Sequence, residues 1–175
     1  MITFQKQTFD ALKADMGYKN IMQAPRVSKI IVSTGVGSIK DKKRLEFILG
    51  RLATITGQAP AVRGAKKSIA NFKIRTGDTA GYQVTLRGAR AASFLDKLIH
   101  IVFPRVKDFR GIKVNAIDEM GNISIGMREH TVFPETSDED AKDVFGVSIT
   151  IVTSARNKKE AEMFLRLIGL PLQEK

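Results

Sequence analysis

At 175 residues and 43% apolar content, the chain is long enough to bury a sizeable core as one domain, residues 1–175, while a division into two lobes stays open. Its 29 Lys and Arg outweigh 18 Asp and Glu by a net charge of +11, a self-repulsion that a polyanionic partner relieves, nucleic acid ahead of an anionic membrane surface. The absence of cysteine excludes disulfides, thiol nucleophiles and thiolate metal sites and suits a reducing compartment.

No run approaches the ~20 apolar residues that span a bilayer. The N-terminal MITFQKQTFDALKADMG lacks the apolar core of a signal peptide, so a soluble, intracellular protein is expected. Phe4 to Met16 reads as an amphipathic helix with Phe9, Leu12 and Met16 on one stripe and Gly17 as its stop, residues 1–17 docking on the body. A connector, Gly17 to Arg26, closes at Pro25, which biases Ala24 to extended geometry. Val27 to Thr34 is β-branched and almost wholly apolar, as a central strand requires.

Gly35-Val36-Gly37 then leads into a helix over Asp41 to Ile55. Leu45, Ile48, Leu49 and Leu52 fall at i, i+3, i+4 and i+7 on one face, Ser38 or Asp41 is placed to cap its start, and Gly57 with Pro60 behind it ends it. Ala61 to Arg63 is a short extended piece. It enters the most basic stretch of the chain, Arg63 to Arg90, in which Lys66, Lys67, Lys73, Arg75, Arg87 and Arg90 are interrupted by a single acid, Asp78. This stretch reads as strand, polar loop and strand. Its closing half alternates strictly, Tyr82, Val84 and Leu86 against Gln83, Thr85 and Arg87, the period of a half-buried strand.

A second helix is expected over Ala91 to Ile101, with Phe94, Leu95, Leu98, Ile99 and Val102 as its stripe and Pro104 as its stop. Arg105 to Gly111 is a basic loop with an exposed Phe109. Val114 to Arg128 suggests a hairpin turning at Glu119 to Asn122, and Thr136 to Asp143 an acidic surface loop or short helix. Gly146 to Thr153 is a strong strand. Asn157-Lys-Lys-Glu160 forms a capping box for a last helix carrying Ala161, Phe164, Leu165 and Ile168, and Gly169 to Lys175 is a tail. Strands interleaved with four amphipathic helices argue an α+β, two-layer sandwich. The helices would cover one sheet face and leave the other polar, with Gln83, Thr85, Ser148 and Thr150 on it.

Charge divides the chain. From Arg63 to Lys113, 12 basic residues meet only Asp78, Asp96 and Asp108, whereas Val114 to Phe145 is strongly acidic. Lys and Arg of the basic stretch suit phosphates, and Phe72, Tyr82 or Phe109 suits stacking on bases or riboses. Catalytic signals are missing. Gly35-Val-Gly37-Ser-Ile-Lys40 follows a strand but lacks the GxxxxGK[ST] of a phosphate loop and the third Gly of a dinucleotide fingerprint, so a tight strand-to-helix turn accounts for it. His100 and His130 have no ligand spacing, and Ser68, Ser93 and Ser154 have no visible base. No enzyme, cofactor or metal is expected.

The segments GYKNIMQAPRVSKI, GQAPAVRGAKKSIANFKIRTGDTAGYQVTLRG, FLDKLIHIVFPRVKDFRGI, GNISIGMREHTVFPE and EAEMFLRLIGLP cover nearly the whole chain in order. They resemble the large-subunit ribosomal protein five family, the bacterial-type binder of 5S ribosomal RNA. The resemblance implies helices on one side of a largely antiparallel, curved sheet and a structural role in the central protuberance of the large subunit of cytoplasmic ribosomes. Its implied partners are 5S and large-subunit ribosomal RNA, the elbow of the peptidyl-site tRNA, and other ribosomal proteins, including one in the small-subunit head; no membrane is implied, and a monomer is expected when free.

By position, the resemblance places 5S contacts at Ser33, Gln58 and Thr85 with support from Lys66, Lys67 and Ser68, and the basic stretch adds Arg63 and Arg87. It places the tRNA contact in the loop Lys73 to Thr79, through Lys73, Arg75, Thr76, Gly77 and Thr79. Three departures stand out. Ser33 replaces a usual Asn, AIDEMGNIS replaces SFDGRGNYS, and ETSDED follows Pro134 where a tyrosine-containing E-I-x-Y-D is usual. Two readings of the same residues compete with this one: an RNA-processing or ribosome-assembly factor using the same basic surface, and a peripheral membrane protein.

Overall fold

A computed structural model describes residues 2–136 and 143–173, the side chains of residues 2–7 and 15 excepted. Most of the acidic stretch read as a loop or short helix, residues 137–142, lies outside the described residues. Five strands form one open sheet in the order β2-β3-β1-β5-β4, with β1 Val27–Gly35, β2 Ala61–Gly64, β3 Thr79–Leu86, β4 Ile123–Met127 and β5 Val147–Thr153. It is antiparallel. β2 pairs with β3 from Ala61 opposite Gln83 to Gly64 opposite Thr79. The Ser154 N–H meets the Arg26 carbonyl just before β1 at 2.9 Å, and the Thr34 hydroxyl donates to the Gly146 carbonyl just before β5 at 2.8 Å.

The α+β class is as expected, and so is the alternation that builds it. Ile30, Val32 and Thr34 of β1, Tyr82, Val84 and Leu86 of β3, and Val147, Ile149, Ile151 and Thr153 of β5 are buried. The residues between them, among them Ser33, Gln83, Thr85, Ser148 and Thr150, are half-buried or exposed, leaving one face of the sheet polar and open.

The chain divides into two compact units, Met1–Ile30, Leu86–Ile125 and Thr150–Lys175 in the first, Ile31–Thr85 and Gly126–Ile149 in the second. In the second, α2 spans Lys42–Thr56. Asp41, one of the two expected caps, takes the Lys43 N–H at 3.0 Å, and Gly57 closes the helix at φ +65°, a conformation glycine adopts without penalty. Of its expected stripe, Ile48 and Leu52 are wholly buried and are joined by Ile55, each contributing about 1.5–3 kcal/mol, while Leu45 and Leu49 are half-buried. His130 is buried too. Its Nδ1 accepts the Phe145 N–H at 3.3 Å and its ring stacks on that of Phe145 at 3.9 Å. His100, by contrast, is exposed.

The first unit holds α1 (Ile2–Met16), α3 (Gly88–Lys97) and α4 (Lys158–Leu167), with α1 packed on α4. Three expectations are corrected here. Pro104 does not stop the second helix, because Leu98–Val102 widens into a π turn in which the Phe103 N–H reaches the Leu98 carbonyl. Pro104 then sits at the start of a last helical turn, Phe103–Arg105, where its missing N–H costs nothing.

The capping box at Asn157 does not form, since its side chain makes no cap hydrogen bond. Glu160 is buried, and its carboxylate is taken up by other donors. It takes the Arg156 N–H at 2.7 Å and the Tyr18 hydroxyl, whose ionisation is pushed well above the usual phenol range by burial and then by this bond. The hairpin expected over Val114 to Arg128 keeps only β4 as a strand. Its first arm is a 3-10 turn, Val114–Ala116, and a single bridge from Ile117 to Ile123. The turn between them is clasped by Asp118, whose carboxylate accepts the Asn122 N–H at 2.6 Å.

Candidate nucleic-acid interface

In the second unit, β2 and β3 extend into a hairpin of their own over residues 65–78. The stretch read as a polar loop is therefore folded. The Ala65 N–H donates to the Asp78 carbonyl at 2.8 Å, the Gly77 N–H to the Ala65 carbonyl at 3.0 Å, and Ile69 and Ile74 pair across the tip through two backbone bonds. Lys73, at φ 52°, turns the chain after a 3-10 turn over Ala70–Phe72. Side chains finish the bracing, as the Asp78 carboxylate accepts the Arg75 N–H at 2.8 Å and the Ser68 hydroxyl accepts the Thr76 N–H at 2.9 Å.

Lys66, Lys67, Lys73 and Arg75 are all exposed on this hairpin, and no hydrogen bond or ion pair among the described residues engages their charged groups. Of the three aromatic rings considered for stacking, one is available. Phe72 is 71% exposed at the hairpin tip, whereas Tyr82 is buried with its phenol pushed up by burial and by the nearby Glu46 carboxylate. Phe109, expected to be exposed, lies flat on Phe103 with ring centroids 5.1 Å apart, because an aromatic beside a buried ring gains more from packing than from water.

The remaining candidates sort by element. Ser33 on β1 and Thr85 on β3 are half-buried on neighbouring strands, each on the open side of the sheet. Arg63 is exposed on β2, and its Nε donates to Gln83 Oε1 at 2.6 Å, which fixes the guanidinium at the margin of that face. Gln83 is the residue missed in the sequence; the alternation of β3 put it on the polar side, but nothing marked it as the partner that orients Arg63. Gln58 is half-buried just beyond α2, where its carbonyl accepts the Thr56 hydroxyl at 3.1 Å.

Thr79 opens β3 opposite Gly64, and Gly77, at φ +95°, turns the chain into it. Arg87, in the first unit, is exposed directly after β3. Ser68 and Thr76, assigned by the resemblance to different RNA contacts, are neighbours, their hydroxyls 3.0 Å apart.

What these groups can do is bind, not transform. Exposed cations attract phosphates, hydroxyls and an amide on a rigid sheet supply directional contacts, and a free ring offers a stacking plane. At the Gly35–Gly37 turn the Asp41 carboxylate occupies the place at the start of α2 that a phosphate would need. Among the described residues there is no group of three His, Cys, Asp or Glu that could hold a metal ion, and no helix is long and apolar enough to cross a membrane.

Comparison with known proteins agrees in both halves of the chain. The signature described as ribosomal protein L5 matches residues 20–75, and the signature for the C-terminus of the same ribosomal family matches residues 79–172. The large ribosomal subunit protein uL5 of Halothermothrix orenii is 44% identical over 172 residues, 98% of this chain and 96% of that protein. The protein of the same name from Natranaerobius thermophilus is 47% identical over 161 residues, 91% and 90% of the two chains, and that of a Thermotoga species 46% over 171 residues, 97% and 93%. The chain therefore belongs to the ribosomal protein L5 family, whose members are structural components of the ribosome and not enzymes.

Proposed function

We propose that this protein is a structural constituent of the large subunit of the cytoplasmic ribosome, where it anchors 5S ribosomal RNA and reaches the peptidyl-site tRNA. The observation that carries this reading is the polar open face of the sheet beside a braced hairpin with four unengaged cations. Ser33, Gln58 and Thr85 supply hydrogen-bonding groups to the 5S RNA. Arg63, Lys66, Lys67, Ser68 and Arg87 add charge and hydroxyl support. The hairpin from Lys73 to Thr79, with Arg75 as its strongest phosphate ligand, touches the elbow of the tRNA. A contact with a small-subunit head protein belongs to the same reading and falls to the acidic half of the chain.

Rigidity supports the assignment. A site on strands and a braced hairpin presents its groups in fixed geometry, so little ordering entropy opposes binding. The test is binding of the purified protein to 5S ribosomal RNA, to tRNA and to an unrelated RNA hairpin across a salt titration. Preference for 5S RNA that persists as salt rises is expected, with Thr85→Ala and Gln58→Ala each weakening it by ~1–3 kcal/mol. Equal and steeply salt-sensitive binding to all three RNAs would overturn the reading and favour a general processing or assembly factor.

A further inference from the structure

The segment Arg105 to Lys113 takes no part in the interface above. It lies in the first unit, and Arg105, Lys107, Arg110 and Lys113 are all exposed along it with Asp108 as its one acid. None of the four cations makes a hydrogen bond or ion pair through its side chain among the described residues.

The backbone that carries them is pinned along its length. The Val106 N–H donates to the Phe103 carbonyl at 3.2 Å, and the Phe109 ring lies on buried Phe103 with 12° between the planes. The Ile112 N–H donates to the Pro171 carbonyl at 2.8 Å, and the Ile112 carbonyl accepts the Gln173 N–H at 2.9 Å. Gly111, at φ +90°, lies so close to that C-terminal segment that a Cβ on it would come within 3.1 Å of Gln173 Cγ.

We propose that Arg105 to Lys113 is a second RNA-contacting element, one that grips the phosphate backbone of double-helical RNA without reading its bases. The proposal rests on the ribosomal reading above. With the backbone already held, only the side chains of the four unengaged cations are left to be ordered when they meet phosphates. The segment's one aromatic ring is half-buried with one face stacked on Phe103, a poorer platform for an unstacked base than Phe72, 71% exposed on the hairpin of the other unit. Charge without a freely exposed ring fits the regular phosphates of a duplex better than it fits splayed bases. A protein partner would want an apolar anchor. Among the described residues, the large exposed apolar side chains Met22, Val62, Ile69, Phe72, Ile101, Met120 and Leu167 all lie outside the segment.

The experiment uses the full chain and a blunt, fully paired RNA duplex of mixed sequence. The variant is Arg105→Gln, Lys107→Gln, Arg110→Gln and Lys113→Gln combined, with its fold checked by circular dichroism. The expected result is at least a tenfold loss of duplex affinity at low salt and a slope of log K against log salt shallower by roughly 3, the release of about one counterion per lost contact. Should the combined variant unfold, the pairs Arg105/Lys107 and Arg110/Lys113 changed separately should each remove about half of that slope.

Unchanged affinity and slope would overturn the proposal. So would tighter binding of polyglutamate than of duplex, lost in the same variant, which would mark an acidic protein as the partner. The variant should keep the preference for 5S RNA over unrelated RNA. Absence of that preference in the unaltered protein would instead count against the function proposed above, separately from this test.

Discussion

Ser68 and Thr76 hold each other across the basic hairpin, the Ser68 hydroxyl accepting the Thr76 N–H at 2.9 Å and lying 3.0 Å from the Thr76 hydroxyl. One side chain thus closes the two arms at mid-height, where the cations around it are kept at a set spacing. Ser68→Ala removes the acceptor of an exposed backbone donor. The Thr76 amide should then exchange with solvent about fivefold faster, the equivalent of ~1 kcal/mol, while global stability moves by less than about 0.5 kcal/mol. An unchanged exchange rate would show that the backbone bonds of the hairpin suffice without the hydroxyl.

Phe72 is 71% exposed at the tip, so the fold gains little from its ring. Phe72→Ala should leave the urea midpoint almost unmoved yet cost ~1–3 kcal/mol in affinity for a structured RNA with unstacked bases, such as a tRNA. A loss of stability with unaltered RNA affinity would assign the ring to packing instead.

The hairpin shows what could and could not be read from the sequence. β1, α2 with Asp41 and Gly57 at its ends, and β5 were legible because each is governed by local rules, a β-branched run, a 3.6-residue stripe with caps, or strict alternation. Residues 65–78 carry no such period. Their order comes from backbone pairing at Ala65, Gly77 and Asp78 and between Ile69 and Ile74, and from the side chains of Ser68 and Asp78, which composition does not reveal. Likewise Pro104 reads locally as a stop, and only the wider π turn before it lets the helix run on to Arg105. Asn157 and Glu160 have the spacing of a capping box, but Tyr18, 142 residues away in sequence from Glu160, claims the carboxylate. Of the candidate site, the alternation of β3 placed Thr85 on the polar side; that β1 is the neighbouring strand, with Ser33 on the same side, had to come from the fold.

Gly81 lies against β1 so tightly that a Cβ there would stand 2.6 Å from the Thr34 carbonyl oxygen, a backbone atom with little room to retreat. Gly81→Ala should therefore lower stability by ~1–3 kcal/mol, read as a lower urea midpoint at unchanged slope. Since the site faces the open side of the sheet, 5S RNA affinity should fall as well. A midpoint equal to that of the parent would mean that the two strands can part without cost.

Tyr18 and Glu160 form a bracket within the first unit whose strength depends on pH. The folded phenol ionises above its ordinary value of 10.0, so the folded state holds its proton where the unfolded chain has lost it. The bond's stabilisation is thus fully present below about pH 10 and declines as pH rises beyond it toward the folded value. Tyr18→Phe should lose ~1.5–3 kcal/mol at neutral pH, the scale of a hydrogen bond to a charged group, and should show a flatter decline of stability above pH 10 than the parent. Parallel pH profiles for the two proteins would show that the phenol does not titrate with unfolding.

β2 is the outermost strand on one side of the sheet, only four residues long, exposed throughout, and it slips register between Arg63 and Gly64. Pro60 precedes it and Lys66 and Lys67 follow it. A short, kinked edge flanked by proline and like charges is a poor template for another chain's strand. For a ribosomal component that exists before it is assembled, such an edge disfavours strand-to-strand pairing between copies of the chain. The lysines proposed to meet phosphate would also set like charges against each other wherever two such edges approach.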